Sequence, residues 1–345
     1  MLHTLSLGAH RLSSGTELPA LDVAFNTFGQ LAPDGGNAVL VTHGYTSGPS
    51  MLVPGHHVAE SSWAPLLGPG RPLDTDRFFI VCSNMLGSSF GTTGPNTTNP
   101  ATGRPWGPDF PAITLEDIVA VQHRLLQQLG VRHLRAVVGP SYGGWQALQW
   151  ALSFPDMVDA VGSLVSGLTH PQGLSSESTR QRFADHPAWN GGCHYGDARM
   201  TDMLTELRRQ TLRSYGLETL FEARMPDPAQ RQAAMDKACR QWAERFDPNS
   251  MVTLAAAAER FDVRERVGEI RARLLFMVCT TDVIFPPDPA VRTLLGAVPG
   301  PLRYRELDSP YGHMASGVEW QRLEEDLRWL LDPPDPPRPP GGRHG

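Results

Sequence analysis

Residues 139–155 read GPSYGGWQALQWALSFP. The run leading into them, LRAVVG at 134–139, is short, aliphatic and β-branched, as a buried strand would be. Beyond Ser141 the pattern is helical and stops before Pro155. A strand therefore turns sharply into a helix, with one serine at the turn. Gly139, Ser141 and Gly143 spell G-x-S-x-G in the strand–turn–helix setting that this motif requires. Small residues two before and two after the serine let strand and helix approach closely. The helix N-terminus brings positive potential and free N–H groups to the serine hydroxyl.

Similar apolar runs recur outward from this point. AVLVTH (38–43), FFIVCS (78–83), AVGSLVS (160–166) and LLFMVCT (274–280) read as central strands, each nearly continuous in apolar character. Strands covered on both faces of a parallel sheet have this pattern. LRYREL (302–307) alternates, as a strand nearer the sheet edge does, and the first 30 residues predict antiparallel strands at one edge. Thr114 and Asp117 form a capping box opening TLEDIVAVQHRLLQQLG, with Gly130 suited to its C-terminal cap. Trp320, Leu323, Leu327 and Leu330 make one apolar face of a final helix. Alternating strands and helices predict an α/β fold with a mostly parallel, doubly wound sheet.

Two stretches break the alternation. Residues 84–113 are rich in Gly, Asn, Thr and Pro, and a loop of that length is expected to be functional or disordered. Residues 168–262 carry helical patterns without a convincing strand. The expected organisation is a core in two parts, 1–167 and 263–331, a helical lid insertion over 168–262, and a disordered proline-rich tail over 332–345.

Composition narrows the function. The chain has 345 residues, 40% of them hydrophobic, and a formal net charge of −6, enough for a large core. Lacking a basic excess or a Lys/Arg run, it is not expected to bind nucleic acid or an anionic membrane. Its start shows no basic segment followed by an apolar stretch, which predicts a cytoplasmic protein. Cys82, Cys193, Cys239 and Cys279 are scattered without a CxxC pair and read as buried thiols of a reducing compartment. No metal cluster or phosphate loop is evident, so no bound cofactor is implied.

The serine needs partners. A seryl hydroxyl is a poor nucleophile at neutral pH, so a base must take its proton during attack. The expected order is Ser, acid, His, each after a later strand. Asp282 follows LLFMVCT, and His313 follows LRYREL, in LDSPYGH. His313 would act as base and then as acid, with Asp282 fixing its tautomer and stabilising its cation. An oxyanion hole would take one backbone N–H from Tyr142, directly after the serine, and one from Tyr45 in HGYTSG. His43 and Gly44 read as loop architecture.

With those residues placed, the chain resembles the homoserine O-acetyltransferase family of α/β-hydrolases, over about residues 20–167 and 268–331. GPGRPLDTDRFFIVCSNMLG (68–87), GTTGPNTTNPATGRPWGPDFPAITLEDIV (91–119) and DSPYGH (308–313) are close to long family blocks. The resemblance puts Ser141, Asp282 and His313 on the family's nucleophile, acid and base. It implies an acyl-enzyme formed from an acyl-CoA, with acetyl-CoA as a donor substrate, a lid made by the insertion, and a homodimer formed through that insertion. It also implies that Arg208, with Tyr215 at the family spacing in LRRQTLRSY, clamps a substrate carboxylate. The family has an aspartate directly after the catalytic histidine, resembling a partner for the homoserine ammonium; here that position is Met314. A thioether cannot pair with a cation. Three readings follow. The first is hydrolysis or transfer of a small acyl group from an ester or thioester to water or an alcohol. The second is homoserine O-acetylation. The third is an inactive hydrolase-fold binding protein.

Overall fold

The computed structural model describes residues 1–55, 62–171, 173 and 175–332. The proline-rich tail expected over 332–345 lies outside them, apart from Asp332, which pairs with Arg77.

Eight strands form one sheet: β1 (His3–Ser6), β2 (Asp22–Phe28), β3 (Ala38–Thr42), β4 (Phe79–Ser83), β5 (Leu134–Pro140), β6 (Ala160–Leu164), β7 (Arg273–Cys279) and β8 (Leu302–Leu307). Their order is β1-β2-β4-β3-β5-β6-β7-β8. β1 and β2 pair antiparallel, as does β2 with β4, and all other neighbours are parallel. Five of the six parallel strands, β3 to β7, are the apolar runs of the sequence, and β8 is the alternating LRYREL, largely exposed at the sheet edge. Their side chains divide by parity: Leu40, Val137 and Phe276 enter one core cluster, while Val41, Val138 and Met277 enter the other. Both faces of β3 to β7 are therefore dry, which explains the unbroken apolar character of those five runs.

Helices α1 (Leu115–Gln128) and α2 (Tyr142–Ser153) supply much of the first cluster's cover. The Thr114–Asp117 capping box is present in full. Gly130, at φ +84°, follows the helix end in the left-handed conformation. Five helices lie between β6 and β7: α3 (Ser176–Ala184), α4 (Arg199–Ser214), α5 (Leu217–Arg224), α6 (Pro228–Ala243) and α7 (Pro248–Glu259). A β-bridge between Thr169 and Asp262 closes the neck of this segment. α8 (Pro289–Leu295) follows β7, and α9 (Ala315–Val318) and α10 (Glu324–Leu331) follow β8.

Four expectations change. The final helix is broken: Trp320–Leu323 is a 3-10 turn ahead of α10, although Leu323, Leu327 and Leu330 share the second core cluster. β6 stops at Leu164, short of Ser166, because Val165 takes φ +43°. A β-branched residue there is strained, and Val165 holds it fully buried. Cys193 is exposed, unlike the other three cysteines. The glycine-rich loop 84–113 is a packed layer. Thr93 N–H donates to Asp22 O at 2.9 Å, and Ser89 Oγ accepts from Asp247 N–H at 2.9 Å. None of its residues lines the cavity at Ser141.

Candidate active site

The sheet order reverses between β3 and β5, and a crevice opens beyond their carboxyl ends. Ser141 stands there, between β5 and α2, with φ +55° and ψ −124°. The conformation is forced from below. A Cβ at Gly139 or Gly143 would overlap the Thr42 carbonyl oxygen, and one at Gly144 would crowd Ser163 and Ser166. Thr42 Oγ1 also donates to Gly143 O at 2.8 Å, and Ser166 Oγ to Ser141 O at 2.8 Å. What approaches the motif's glycines is thus the end of β3. α2 starts at Tyr142, so its N–H is without a helical acceptor.

Asp282 follows β7 and is 2% exposed. Its Oδ1 accepts from Ile284 N–H at 2.8 Å, and its Oδ2 lies 2.8 Å from His313 Nδ1. A carboxylate only accepts, so the proton sits on Nδ1 and Nε2 is left as the basic nitrogen. The two loops are tied together: Thr281 Oγ1 donates to Ser309 O at 2.6 Å and accepts from Gly312 N–H at 3.1 Å. Ser141 and His313 line the same cavity, whose volume is about 650 Å³.

Tyr45 and Tyr142 line it as well. Their rings stack at 5.9 Å. Both hydroxyls reach α7: Tyr45 donates to Met251 O at 2.5 Å and Tyr142 to Leu254 O at 3.2 Å. Burial pushes both phenols well above their ordinary pKa, so they stay neutral. His43 serves the loop: Nε2 accepts from Met85 N–H at 3.2 Å, which leaves Nδ1 to donate to Gly44 O at 2.9 Å. Tyr215 is a wall of the cavity, its ring 4.8 Å from that of His313.

Two residues expected to contact substrate are not among those lining the cavity. Arg208 is 1% exposed and does not line the cavity. It donates to Thr46 Oγ1 at 3.0 Å and lies over the Trp242 ring at 4.6 Å. Leu207, Thr211 and Tyr215, four apart along α4 and its end, face the cavity instead, and Arg208 is about 100° round the helix from Leu207. Met314 packs with Leu212, Leu217, Leu220, Met235 and Cys239 and does not line the cavity. The arginine at the cavity is Arg182 of α3, which is exposed at the rim. No sequence pattern singled it out. Among the described residues the cavity's one lining carboxylate is Asp288, which caps α8 by accepting from Ala290 N–H at 2.8 Å. Among the described residues no group of three His, Cys, Asp or Glu side chains is placed to hold a metal, and no helix is long and apolar enough to cross a membrane.

A family model described as alpha/beta hydrolase fold matches residues 37–319. Homoserine O-acetyltransferase of Moorella thermoacetica is 36% identical, over 93% of this chain and 92% of that protein. The structure of homoserine O-acetyltransferase from Bacillus anthracis superposes with a TM-score of 0.84 at 23% identity, covering 96% of this chain and 97% of that one. An acetylester hydrolase from Corynebacterium glutamicum reaches 0.79 at 20% identity, covering 96% of each chain. The two superpositions establish the fold and do not choose between transfer and hydrolysis. With the similarity to the Moorella protein extending over nearly the whole length, the chain is an acyl-transferring enzyme and belongs to the homoserine O-acetyltransferase family of α/β-hydrolases.

Proposed function

We propose that this enzyme carries a small acyl group on Ser141 and passes it to water or to an uncharged alcohol. The observation that carries the reading is the Asp282–His313 pair at 2.8 Å, set beside a strained serine in one cavity. As Ser141 Oγ attacks the acyl carbonyl carbon, His313 Nε2 takes its proton. The oxyanion that forms accepts from the N–H groups of Tyr45 and Tyr142. His313 then gives the proton to the departing alkoxide or thiolate, leaving an ester on Ser141. Water or an alcohol attacks that ester with His313 again as base; the Ser141–acyl bond then breaks, His313 returns the proton to Ser141 Oγ, and the acid or new ester is released. Asp282 holds the tautomer and stabilises the imidazolium throughout. Every step uses groups of this chain, and no bound cofactor is invoked.

The lining argues for the acceptor. Among the described residues no uncommitted carboxylate lines the cavity to meet an amino-acid ammonium, since Asp282 serves His313 and Asp288 caps α8 at the exposed rim. The second reading, homoserine acetylation from acetyl-CoA, is favoured by the relatives' name. Purified enzyme assayed in parallel separates the two. One arm follows acetyl-CoA with homoserine; the other follows hydrolysis of short-chain acetate esters. We expect the ester arm to give the higher kcat/KM, with an acyl adduct on Ser141 by mass spectrometry. Efficient homoserine acetylation with negligible ester hydrolysis would establish the second reading instead.

A further inference from the structure

We propose that the cavity sorts the two ends of an ester, admitting an acetyl-sized acyl group on one side and a large apolar alcohol on the other. This names a substrate class and rests on the acyl-transfer reading above.

Two hollows meet at Ser141 and share Tyr45, Thr46, Tyr215 and His313. The smaller has a volume of about 20 Å³. That is room for one water-sized group, and a methyl is such a group. Its other walls are Gly44, Ser47, Met51 and Pro140, all buried. The larger, about 650 Å³, has a floor of Trp145, Leu168, Phe276, Val278, Phe285 and Val291. Among the described residues its ionisable side chains, apart from His313 and the tyrosines, are His170, Arg182 and Asp288, and the last two are exposed at the outer edge. A floor of that kind gains by covering an apolar ring.

Traffic decides which end of the ester goes where. The wide hollow reaches exposed Gly173, Pro286 and Asp288, whereas none of the described residues around the small one is exposed. The alcohol must leave, and the second nucleophile must enter, while the acyl group stays on Ser141. A long acyl chain in the wide hollow would shut a small alcohol behind it and stand in the way of water. With acetyl in the small hollow, the departing alcohol vacates the route that water then takes.

The test uses the full chain and four probes: ethyl acetate, 2-phenylethyl acetate, ethyl hexanoate and 2-phenylethyl hexanoate. The two alcohols have similar basicity, so the leaving groups are matched. Expected kcat/KM for 2-phenylethyl acetate is roughly tenfold or more above ethyl acetate, and each hexanoate falls about 100-fold below its acetate. Val291→Phe, which narrows the wide hollow, should cut the phenylethyl-to-ethyl ratio about tenfold. Hexanoates preferred over acetates, or equal rates for ethyl and 2-phenylethyl acetate, would overturn this proposal while leaving acyl transfer standing. Failure to hydrolyse any of the four, with no labelling of Ser141 by a fluorophosphonate, would bring down the acyl-transfer reading and this proposal together.

Discussion

The cavity has one wall made by the sheet and one made by helices, and they are held by different means. On the sheet side, Ser141, Asp282 and His313 hang from the ends of β5, β7 and β8, set by backbone contacts. The Thr42 carbonyl presses on two glycines, and the Thr281 hydroxyl links the acid loop to the histidine loop. On the helical side, Leu207, Thr211 and Tyr215 of α4 and Arg182 of α3 face the same space. α4 and its neighbours rest on two small clusters separate from the sheet's cores, and of the five helices only α7 has residues in the main core, Leu254, Ala257 and Ala258. Side chains can be repacked, whereas a backbone carbonyl has nowhere to go. The sheet wall thus fixes the chemistry, and the helical wall is free to set what the chemistry acts on.

Substitutions on each side sharpen that contrast. Ser141→Ala should cost about 10⁵ in kcat with an unchanged melting temperature. Retained turnover, or an adduct on another residue, would remove the sheet wall from the chemistry. Asp282→Asn should cost about 10⁴, because the amide offers an N–H where Nδ1–H needs an acceptor. A near-normal Asn variant would make Asp282 a turn residue only. Met314→Asp belongs to the helical side: it buries a carboxylate against Leu212, Leu217, Met235 and Cys239, so denaturant titration should show a loss of roughly 3 kcal/mol. Stability unchanged and homoserine acetylation raised would mean that this wall reads a substrate ammonium. The smallest effects separate the arginines. Arg208→Met should lower stability by about 1–2 kcal/mol, through the lost Thr46 and Trp242 contacts, and leave acceptor preference as it was. Arg182→Met should do the reverse, moving KM for carboxylate-bearing acceptors about threefold. If the two outcomes are exchanged, α4 is rotated from the orientation described.

The same division governs how much could be read from the residues alone. Ser141, Asp282 and His313 each follow an apolar strand run, and a parallel sheet delivers all such ends to one edge, so chain order sufficed to bring them together. Spacing along α4 fixed where Arg208 falls in the chain but not the face it presents. The 207, 211, 215 stripe was there to be read, and Arg208 lies off it. Met314 adjoins His313 within a 3-10 turn, Gly312–Met314, where successive side chains diverge by about 120°. Arg182 had no local signal, because its place at the rim depends on how α3 settles over the sheet edge. The positive φ of Val165 was equally silent, since a β-branched residue prefers an extended backbone.

Gly139 and Gly143 answer to Thr42, not to any substrate. Selection for folding and selection for turnover therefore act on different letters of one five-residue word. A descendant of this chain that gave up catalysis would be free to replace Ser141, yet both glycines would persist for as long as β3 and β5 stay paired. In a lineage drifting toward a binding role, the motif would decay from its centre and keep its outer glycines.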